Sequence, residues 1–186
     1  DERKISFHAT AAARMIDYEV TFRAPTNEPL VLGDNKDGTM AIRLAQWMTM
    51  PHKSQGGGAS ITGASNDVLS ASNASKGHIV NSAGHRDGDT WGKRADWCDY
   101  FSEHDGEIYG VAMFDHPQNL RHPTWWQVRD YGLFGANPFG KHDFEGLKDQ
   151  PHAGDYTVPA GGSLTLRYRF YFHNGDEKAG KIAERY

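Results

Sequence analysis

Three blocks of the chain combine histidine, arginine, aspartate and tryptophan at a density that neither a plain core strand nor a plain surface loop requires. They run from Gly77 to Trp97, from Phe114 to Pro123 and from Thr124 to Gly140. Sugar rings have apolar faces and a rim of hydroxyl groups, so aromatic planes beside hydrogen-bonding side chains are typical of a carbohydrate site. The blocks hold four of the five tryptophans, Trp91, Trp97, Trp125 and Trp126.

The same blocks supply side chains for acid–base chemistry. Histidine is the natural general base near neutral pH, and a carboxylate beside it can orient the ring. The candidate bases are His85 and His116, and the candidate carboxylate partners are Asp87, Asp89 and Asp115. From this set we predict the catalytic residues His85, His116, Asp87 and Asp115.

Arginine and tryptophan side chains of the blocks are candidates for holding a sugar. A guanidinium presents its donors in a rigid planar fork that suits a pair of neighbouring hydroxyl groups. Trp125 or Trp126 would stack on the face of a ring. A single tryptophan is more often a core residue, and it is the clustering that favours a binding role. The arginines of the blocks that could bind in this way are Arg86, Arg94, Arg121 and Arg129.

A metal site is a competing interpretation of the same histidines. His116 and His122 lie six residues apart, but Pro117 and Pro123 would interrupt a strand that placed both on one side. Imidazole and carboxylate ligands are available, yet no spacing indicates a coordination geometry. We therefore predict no cofactor, and a divalent metal at His85, His116 or His122 remains the alternative.

Composition excludes several classes of protein. The 186 residues suit one domain, and 20 basic against 24 acidic residues give a net charge of -4, which argues against a nucleic-acid partner. The single Cys98 excludes an intrachain disulfide and a multi-cysteine zinc site. No apolar run reaches the length of a membrane-spanning helix. The nucleophile elbow and the phosphate-binding loop motifs are also absent.

Period-two alternation indicates that strands position the blocks. In Arg14–Arg23 the side chains of Ile16, Tyr18, Val20 and Phe22 share one face, and the run Ser163–His173 repeats the pattern. Such strands, joined by glycine-rich turns, predict an antiparallel β-sandwich or barrel. Further strand candidates are Lys4–Ala9, Thr39–Leu44, His78–Ser82, Glu107–Phe114 and Trp125–Val128. The tail Asp176–Tyr186 predicts a short C-terminal helix, capped by Asn174 or Asp176.

One segment differs from the rest in composition. Gln55–Ser75 is rich in glycine, serine, alanine and asparagine and almost free of large side chains. A linker of this composition would separate two domains, but the strands before it could not close a core by themselves. We therefore predict a long loop within a single domain spanning residues 1–186.

The blocks also carry a resemblance to a known family. The pattern WGKRxxWxDY, then FDHPxNxRxPTWW, then ANPFG resembles a bacterial PmoA-like family of uncharacterised proteins, often labelled methane oxygenase PmoA. The resemblance covers the chain from about Asp34 to the terminal helix. It implies a β-sandwich of the jelly-roll or mutarotase-like kind, and an exported protein in the periplasm or outside the cell. It also implies a setting of sugar oxidation and polysaccharide breakdown.

The resemblance also transfers roles to individual residues. Family members commonly have a histidine after the paired tryptophans, where this chain has Gln127, and a further N-terminal block that is not found here. The chain is thus expected to be the C-terminal part of a longer domain, with that block as a missing segment or a separate chain. A homo-oligomer is the alternative expectation for a protein partner. The matching polar positions are His85, Arg86, Asp87, Lys93, Arg94, Asp115, His116, Arg129 and Asn137. With the tryptophans, the expected substrate-binding set is Arg86, Lys93, Arg94, Trp97, Trp125, Trp126, Arg129 and Asn137.

Together these observations predict a carbohydrate-active protein with a saccharide partner. The leading hypothesis is an enzyme acting on a glycoside or a keto-sugar as a hydrolase, lyase or isomerase, through His/Asp acid–base chemistry. A non-catalytic carbohydrate-binding or interaction module would use the same aromatic and polar side chains without a reacting pair. The family label adds a third hypothesis, a metal-dependent oxygenase.

Overall fold

The computed structural model of the chain describes residues 1–10, 13–38, 40–51 and 75–186. Within these residues the fold is all-β, with eleven strands, two short α-helices and two 3-10 turns, Gln46–Met48 and Asp87–Thr90. None of the described helices has the length and apolar composition needed to cross a membrane. The strands are β1 (Glu2–Ala9), β2 (Arg14–Arg23), β3 (Leu30–Leu32), β4 (Met40–Arg43), β5 (His78–Asn81), β6 (Trp97–His104), β7 (Glu107–Asp115), β8 (Trp125–Val128), β9 (Leu133–Asn137), β10 (Tyr156–Val158) and β11 (Ser163–Asn174). The helices are α1 (Lys141–Phe144) and α2 (Ile182–Arg185).

The strands form an antiparallel β-sandwich. Its large sheet has six strands in the order β1-β2-β11-β7-β6-β5, and it faces a three-stranded sheet in the order β4-β9-β8. A two-stranded ribbon of β10 and β3 completes the described sheets. The strand pairs are antiparallel throughout, as expected of sheets in which one face can remain in contact with water.

Alternation along β11 shows how the sequence directs the large sheet. Leu166 and Phe170 point into the space between the sheets and are buried, whereas Arg167 and Arg169 lie half-buried on the outer face. The three-stranded sheet contributes Trp126 to the same core. Burial of this apolar surface is the main favourable contribution to folding.

The outer face of the large sheet is covered over one half only. A second apolar cluster lies there and includes Trp97, Phe101, Tyr171 and Ile182. Ile182 belongs to residues 175–186, named here the C-terminal segment, which packs over β6, β7 and β11. Strands β1 and β2 and the first part of β11 keep an open outer face, and the candidate site lies along the boundary between the two halves.

The predicted all-β sandwich with a short C-terminal helix is confirmed. The strands that were predicted have their bounds within two residues of the prediction, and β3, β6, β9 and β10 were not predicted. The helix is shorter than expected: Asp176 closes a turn through bonds to the backbone N–H of Lys178 and Ala179, and α2 begins only at Ile182. The left-handed backbone of Lys181 explains this late start. Thr39 and the predicted loop Gln55–Ser75, apart from Ser75, lie outside the described residues.

Candidate functional site

Backbone hydrogen bonds bring the three polar-aromatic blocks together. Asp115 at the end of β7 donates its N–H to the carbonyl of Asp96 at 2.9 Å, and Ala95 donates to Thr124 at 3.2 Å. Trp126 in turn donates to the carbonyl of Lys93 at 3.1 Å. The end of the first block therefore lies between β7 and β8, as the cluster hypothesis requires.

At this junction Asp115 and His122 form a hydrogen-bonded pair. Oδ2 of Asp115 lies 2.8 Å from Nδ1 of His122 and accepts the backbone N–H of Thr124 at 3.0 Å. Oδ1 accepts an N–H of the Asn119 side chain at 2.7 Å. The carboxylate is fully buried, while the imidazole is 18% exposed. Three donors thus hold one carboxylate in place, and that carboxylate orients the ring of His122.

The other ring nitrogen of His122 faces two further polar groups. Nε2 lies 3.3 Å from Oδ1 of Asp96 and 3.4 Å from the hydroxyl of Tyr186. That hydroxyl donates to the carbonyl of Asp115 at 3.2 Å, and Ser82 donates to the Asp96 carboxylate at 3.5 Å. We name Asp96, Asp115, His122 and Tyr186 the His122 centre.

The protonation states follow from burial and hydrogen bonding. Burial raises the pKa of the Asp115 carboxyl, and the bonds from Asn119 and His122 oppose that shift. Burial, with the nearby charges of Asp96 and Asp115, raises the pKa of Tyr186 to about 12, so its hydroxyl stays protonated at neutral pH. In the tautomer whose Nδ1–H donates to Asp115, Nε2 of His122 carries the lone pair that can accept a proton.

Beside the His122 centre lies a groove of about 460 Å³ on the open outer face of the large sheet. We name it the charged groove. Tyr186 and Asp115 belong both to its lining and to the His122 centre. The acidic, basic and histidine side chains of its lining are Lys4, Asp17, Glu19, Asp115, His116, Arg167, Arg169 and Arg185.

Two ion pairs cross the floor of the charged groove. Arg169 bonds both carboxylate oxygens of Asp17, at 2.5 and 2.9 Å. Arg167 bonds Glu19 through Nε at 2.6 Å, and its terminal N–H groups make no hydrogen bond within the described part of the chain, so they can meet a ligand. The Arg169 bond lowers the pKa of the Asp17 carboxyl, so this carboxylate stays ionised at neutral pH.

The two predicted catalytic histidines lie in different settings. His116 lines the charged groove, and its Nδ1 accepts the backbone N–H of Gln118 at 3.1 Å. Nδ1 of His85 lies 3.3 Å from the side-chain oxygen of Asn81, within its own turn. Neither bonds a carboxylate in the described residues. Asp87 is engaged locally, since it accepts the backbone N–H of Ile79 at 3.0 Å.

Several predicted binding arginines are occupied by the fold itself. Arg94 donates to the carbonyls of Pro123 and Arg121 at 2.8 and 2.9 Å and lies over the ring of Trp125. Arg86 pairs with Glu177 of the C-terminal segment. These side chains join distant parts of the chain, and a structural role accounts for their contacts.

The predicted tryptophans are mostly core residues. Trp126 is completely buried and Trp125 is 3% exposed, so neither offers a free ring face for stacking on a sugar. Trp97 belongs to the second apolar cluster. The partly exposed Trp91 donates to Gln127 at 2.5 Å. The expectation of ring stacking is therefore corrected for Trp125 and Trp126, because burial in the core takes precedence there.

The remaining predicted binding residues also lie away from the charged groove. Arg129 places its guanidinium 4.6 Å from the ring centre of Trp91. Asn137 accepts the backbone N–H groups of Phe139 and Gly140 and so shapes the turn after β9. Lys93 is exposed. None of these three lines the charged groove.

The histidines considered for a metal do not converge. In the described residues, no group of three or more histidine, cysteine, aspartate or glutamate side chains is arranged to hold a metal ion. His122 bonds Asp115, whereas His85 and His116 bond groups within their own turns. The metal-dependent alternative therefore gains no supporting cluster in this part of the chain.

Asp115 is one of the predicted catalytic residues, but the other members of the His122 centre are not. His122 was considered only as a metal ligand, and Asp96 and Tyr186 were not considered. A usable signal was the turn Pro117–Arg121, which lets the chain reverse so that His122 returns to the strand end at Asp115. No local pattern could have indicated Tyr186, which lies 71 residues from Asp115.

Comparison with known proteins identifies the family of the chain. The chain belongs to DUF6807, a family of unknown function, whose model matches residues 1–186. Searches of the curated proteins and of the solved structures find no match. The family match carries no activity, and the resemblance to the PmoA-like family stays a prediction.

Proposed function

We propose that the chain is a carbohydrate-active enzyme that works by acid–base chemistry, with His122 as its general base. The observation that carries the proposal is the Asp115–His122 hydrogen bond of 2.8 Å at the edge of the charged groove. A buried carboxylate that orients a partly exposed imidazole is a recurrent arrangement for moving a proton near neutral pH.

Each member of the His122 centre has a distinct part in this proposal. Asp115 holds the ring and stabilises the imidazolium that forms when Nε2 accepts a proton from a sugar hydroxyl or from a carbon beside a keto group. Tyr186 keeps its proton and can turn it from the carbonyl of Asp115 toward a developing oxyanion. His122 then returns its proton to the leaving or product oxygen. Elimination and isomerisation of a keto-sugar need these steps, and in hydrolysis the base takes its proton from the attacking water instead.

The charged groove would hold the sugar next to the His122 centre. Arg167 keeps free N–H donors, and His116 leaves Nε2 without a partner in the described residues. Carboxylate and guanidinium groups in alternation suit a ring of hydroxyl groups, which donate and accept together. The phenol ring of Tyr186 lines the groove and supplies an aromatic surface.

The test is turnover of a panel of glycosides and 3-keto-glycosides by the purified chain and by His122→Gln. We expect kcat to fall about 10²- to 10⁴-fold in the variant, the usual contribution of a general base. The matched control is His152→Gln, because the side chain of His152 is 81% exposed and lies outside the charged groove. Its turnover should equal that of the wild type.

Variants of His85 and His116 test which histidine is the general base. If His85→Gln or His116→Gln abolished turnover and His122→Gln did not, the assignment of the base to His122 would be wrong. A panel without turnover, combined with sugar binding that survives in His122→Gln, would remove the catalytic proposal altogether.

Sugar binding without turnover is the outcome expected of the second candidate function, a non-catalytic carbohydrate-binding module. One observation favours it: His122 does not itself line the charged groove, and Tyr186 lies between them. A binding module needs the groove alone. Arg167→Gln should then weaken sugar binding while His122→Gln leaves it unchanged.

A further inference from the structure

We infer that the charged groove selects a saccharide that carries an anionic group, such as a uronate. The inference rests on the proposed function, because it names the substrate class for the same site. The observation behind it is that some charged side chains of the groove have no partner among the groove's own ion pairs.

Most charges of the charged groove are already paired. Its side chains include four permanent cations and three carboxylates. Arg167 with Glu19 and Arg169 with Asp17 account for four of these seven groups. The third carboxylate, Asp115, is fully buried and bonded to His122. Two cations remain, Lys4 and Arg185, and no carboxylate of the described residues pairs with either.

Strand register fixes the position of Lys4. It lies opposite Glu19 of β2, which lies opposite Arg167 of β11, and the backbone carbonyl of Arg167 accepts the backbone N–H of His116 at 3.3 Å. These four residues form a row across the sheet. Three interstrand steps of about 4.8 Å make the row roughly 14 Å wide, so Lys4 stands at the far side of the groove from the His122 centre.

Arg185 stands on the near side. It is part of α2, directly before Tyr186, and its guanidinium lies 5.6 Å from the ring centre of Tyr171. That contact takes one face of the guanidinium, and among the described residues no group accepts a hydrogen bond from its N–H edge. The groove therefore has an unpaired cation on each side, and the catalytic Tyr186 is next to one of them.

The excess of positive charge is local. The whole chain has a net charge of -4, so a nonspecific attraction of anions to the protein surface is not expected. A carboxylate matches the fork of Arg185 and the ammonium of Lys4, and hydrogen bonds between charged partners are stronger than neutral ones. A neutral sugar would give Lys4 and Arg185 no ionic partner, and both would stay hydrated.

The experiment measures binding to the full chain by isothermal titration. The probes are glucuronate and glucose, which differ by one carboxylate, and galacturonate oligosaccharides with neutral gluco-oligosaccharides of equal length. Glucose 6-phosphate shows whether a phosphate ester serves as well as a carboxylate. We expect the acidic sugar to bind roughly tenfold more tightly than its neutral counterpart, with an advantage that shrinks as salt screens the cations.

The groove cations are tested by the double variant Lys4→Gln with Arg185→Gln. It should bind acidic and neutral sugars equally, while the control Lys148→Gln, an exposed lysine outside the groove, keeps the preference. Equal affinities in the wild type, or a preference that survives in the double variant, would overturn the inference and leave the proposed function intact. Failure of every sugar to bind would overturn the proposed function and the inference with it.

Discussion

Two histidine–aspartate pairs in the described residues have a fully buried carboxylate and almost equal geometry, but they lie in different settings. His122 bonds Asp115 at 2.8 Å beside the charged groove, and His173 bonds Asp99 at 2.9 Å beneath the C-terminal segment. The first imidazole is 18% exposed, whereas the second is 1% exposed. Access to solvent, and not the pairing itself, separates a candidate reaction centre from a structural pair.

Hydrogen bonding differs as well. Asp115 accepts bonds from His122, Asn119 and Thr124, so both of its oxygens are used. Asp99 has one oxygen bonded to His173, while its other oxygen and Nδ1 of His173 are buried without a partner in the described residues. An incompletely bonded buried pair depends heavily on its one bond.

Loss of the histidine should therefore have its largest effect in the buried pair. We expect His173→Ala to lower the free energy of unfolding by about 3–5 kcal/mol, because it leaves Asp99 buried and unpaired. His122→Ala should cost about 1–3 kcal/mol, since Asp115 keeps two donors. Urea unfolding of both variants gives the two values. Equal costs would show that the two pairs do not differ as described.

A second test concerns the space around His173. A Cβ added at Gly110 would overlap Cε1 and Nε2 of the ring, and one added at Gly180 would overlap Nδ1. We expect Gly110→Ala to lower stability by about 1–3 kcal/mol, the usual cost of overpacking. The control is Gly88→Ala, where a Cβ meets no atom within 4 Å. Thermal unfolding that ranks Gly88→Ala as the more harmful change would contradict tight packing around the buried pair.

The smallest expected effect is a pH dependence at Asp115. The pKa of its carboxyl is raised in the folded protein, chiefly by burial, so the folded state holds that proton more tightly than the unfolded chain does. Its contribution to stability is therefore complete below the unfolded pKa of about 3.9 and is lost as pH rises through the folded value.

The variant Asp115→Asn keeps the shape of the side chain without that titration. The stability advantage of the wild type over Asp115→Asn should decrease as pH rises above about 4. Urea unfolding across the acidic range measures the difference, with the exposed Asp149→Asn as control. An advantage that grows with pH would mean that His122 lowers the pKa of Asp115 by more than burial raises it.

The fold could be predicted largely from local patterns, whereas the site could not. Strand β8 was predicted with the bounds Trp125–Val128 that the structure has, and the alternation in Arg14–Arg23 placed Val20 on the buried face. The clustering of tryptophans in the sequence predicted a surface that stacks on sugar rings. In the structure Trp125 and Trp126 fill the core instead.

What the sequence determined by itself is seven of the eleven described strands and, in β2 and β11, the alternation of faces, because alternation follows from the covalent geometry of an extended chain. Which titratable groups meet is a property of strand order. His173 and Asp99 lie 74 residues apart and pair only because β11, β7 and β6 are neighbours. Tyr186 reaches Asp115 only because the C-terminal segment crosses the sheet. Only the tertiary structure decided that His122–Asp115 is the solvent-accessible pair. The burial of an imidazole depends on which surfaces the rest of the chain covers.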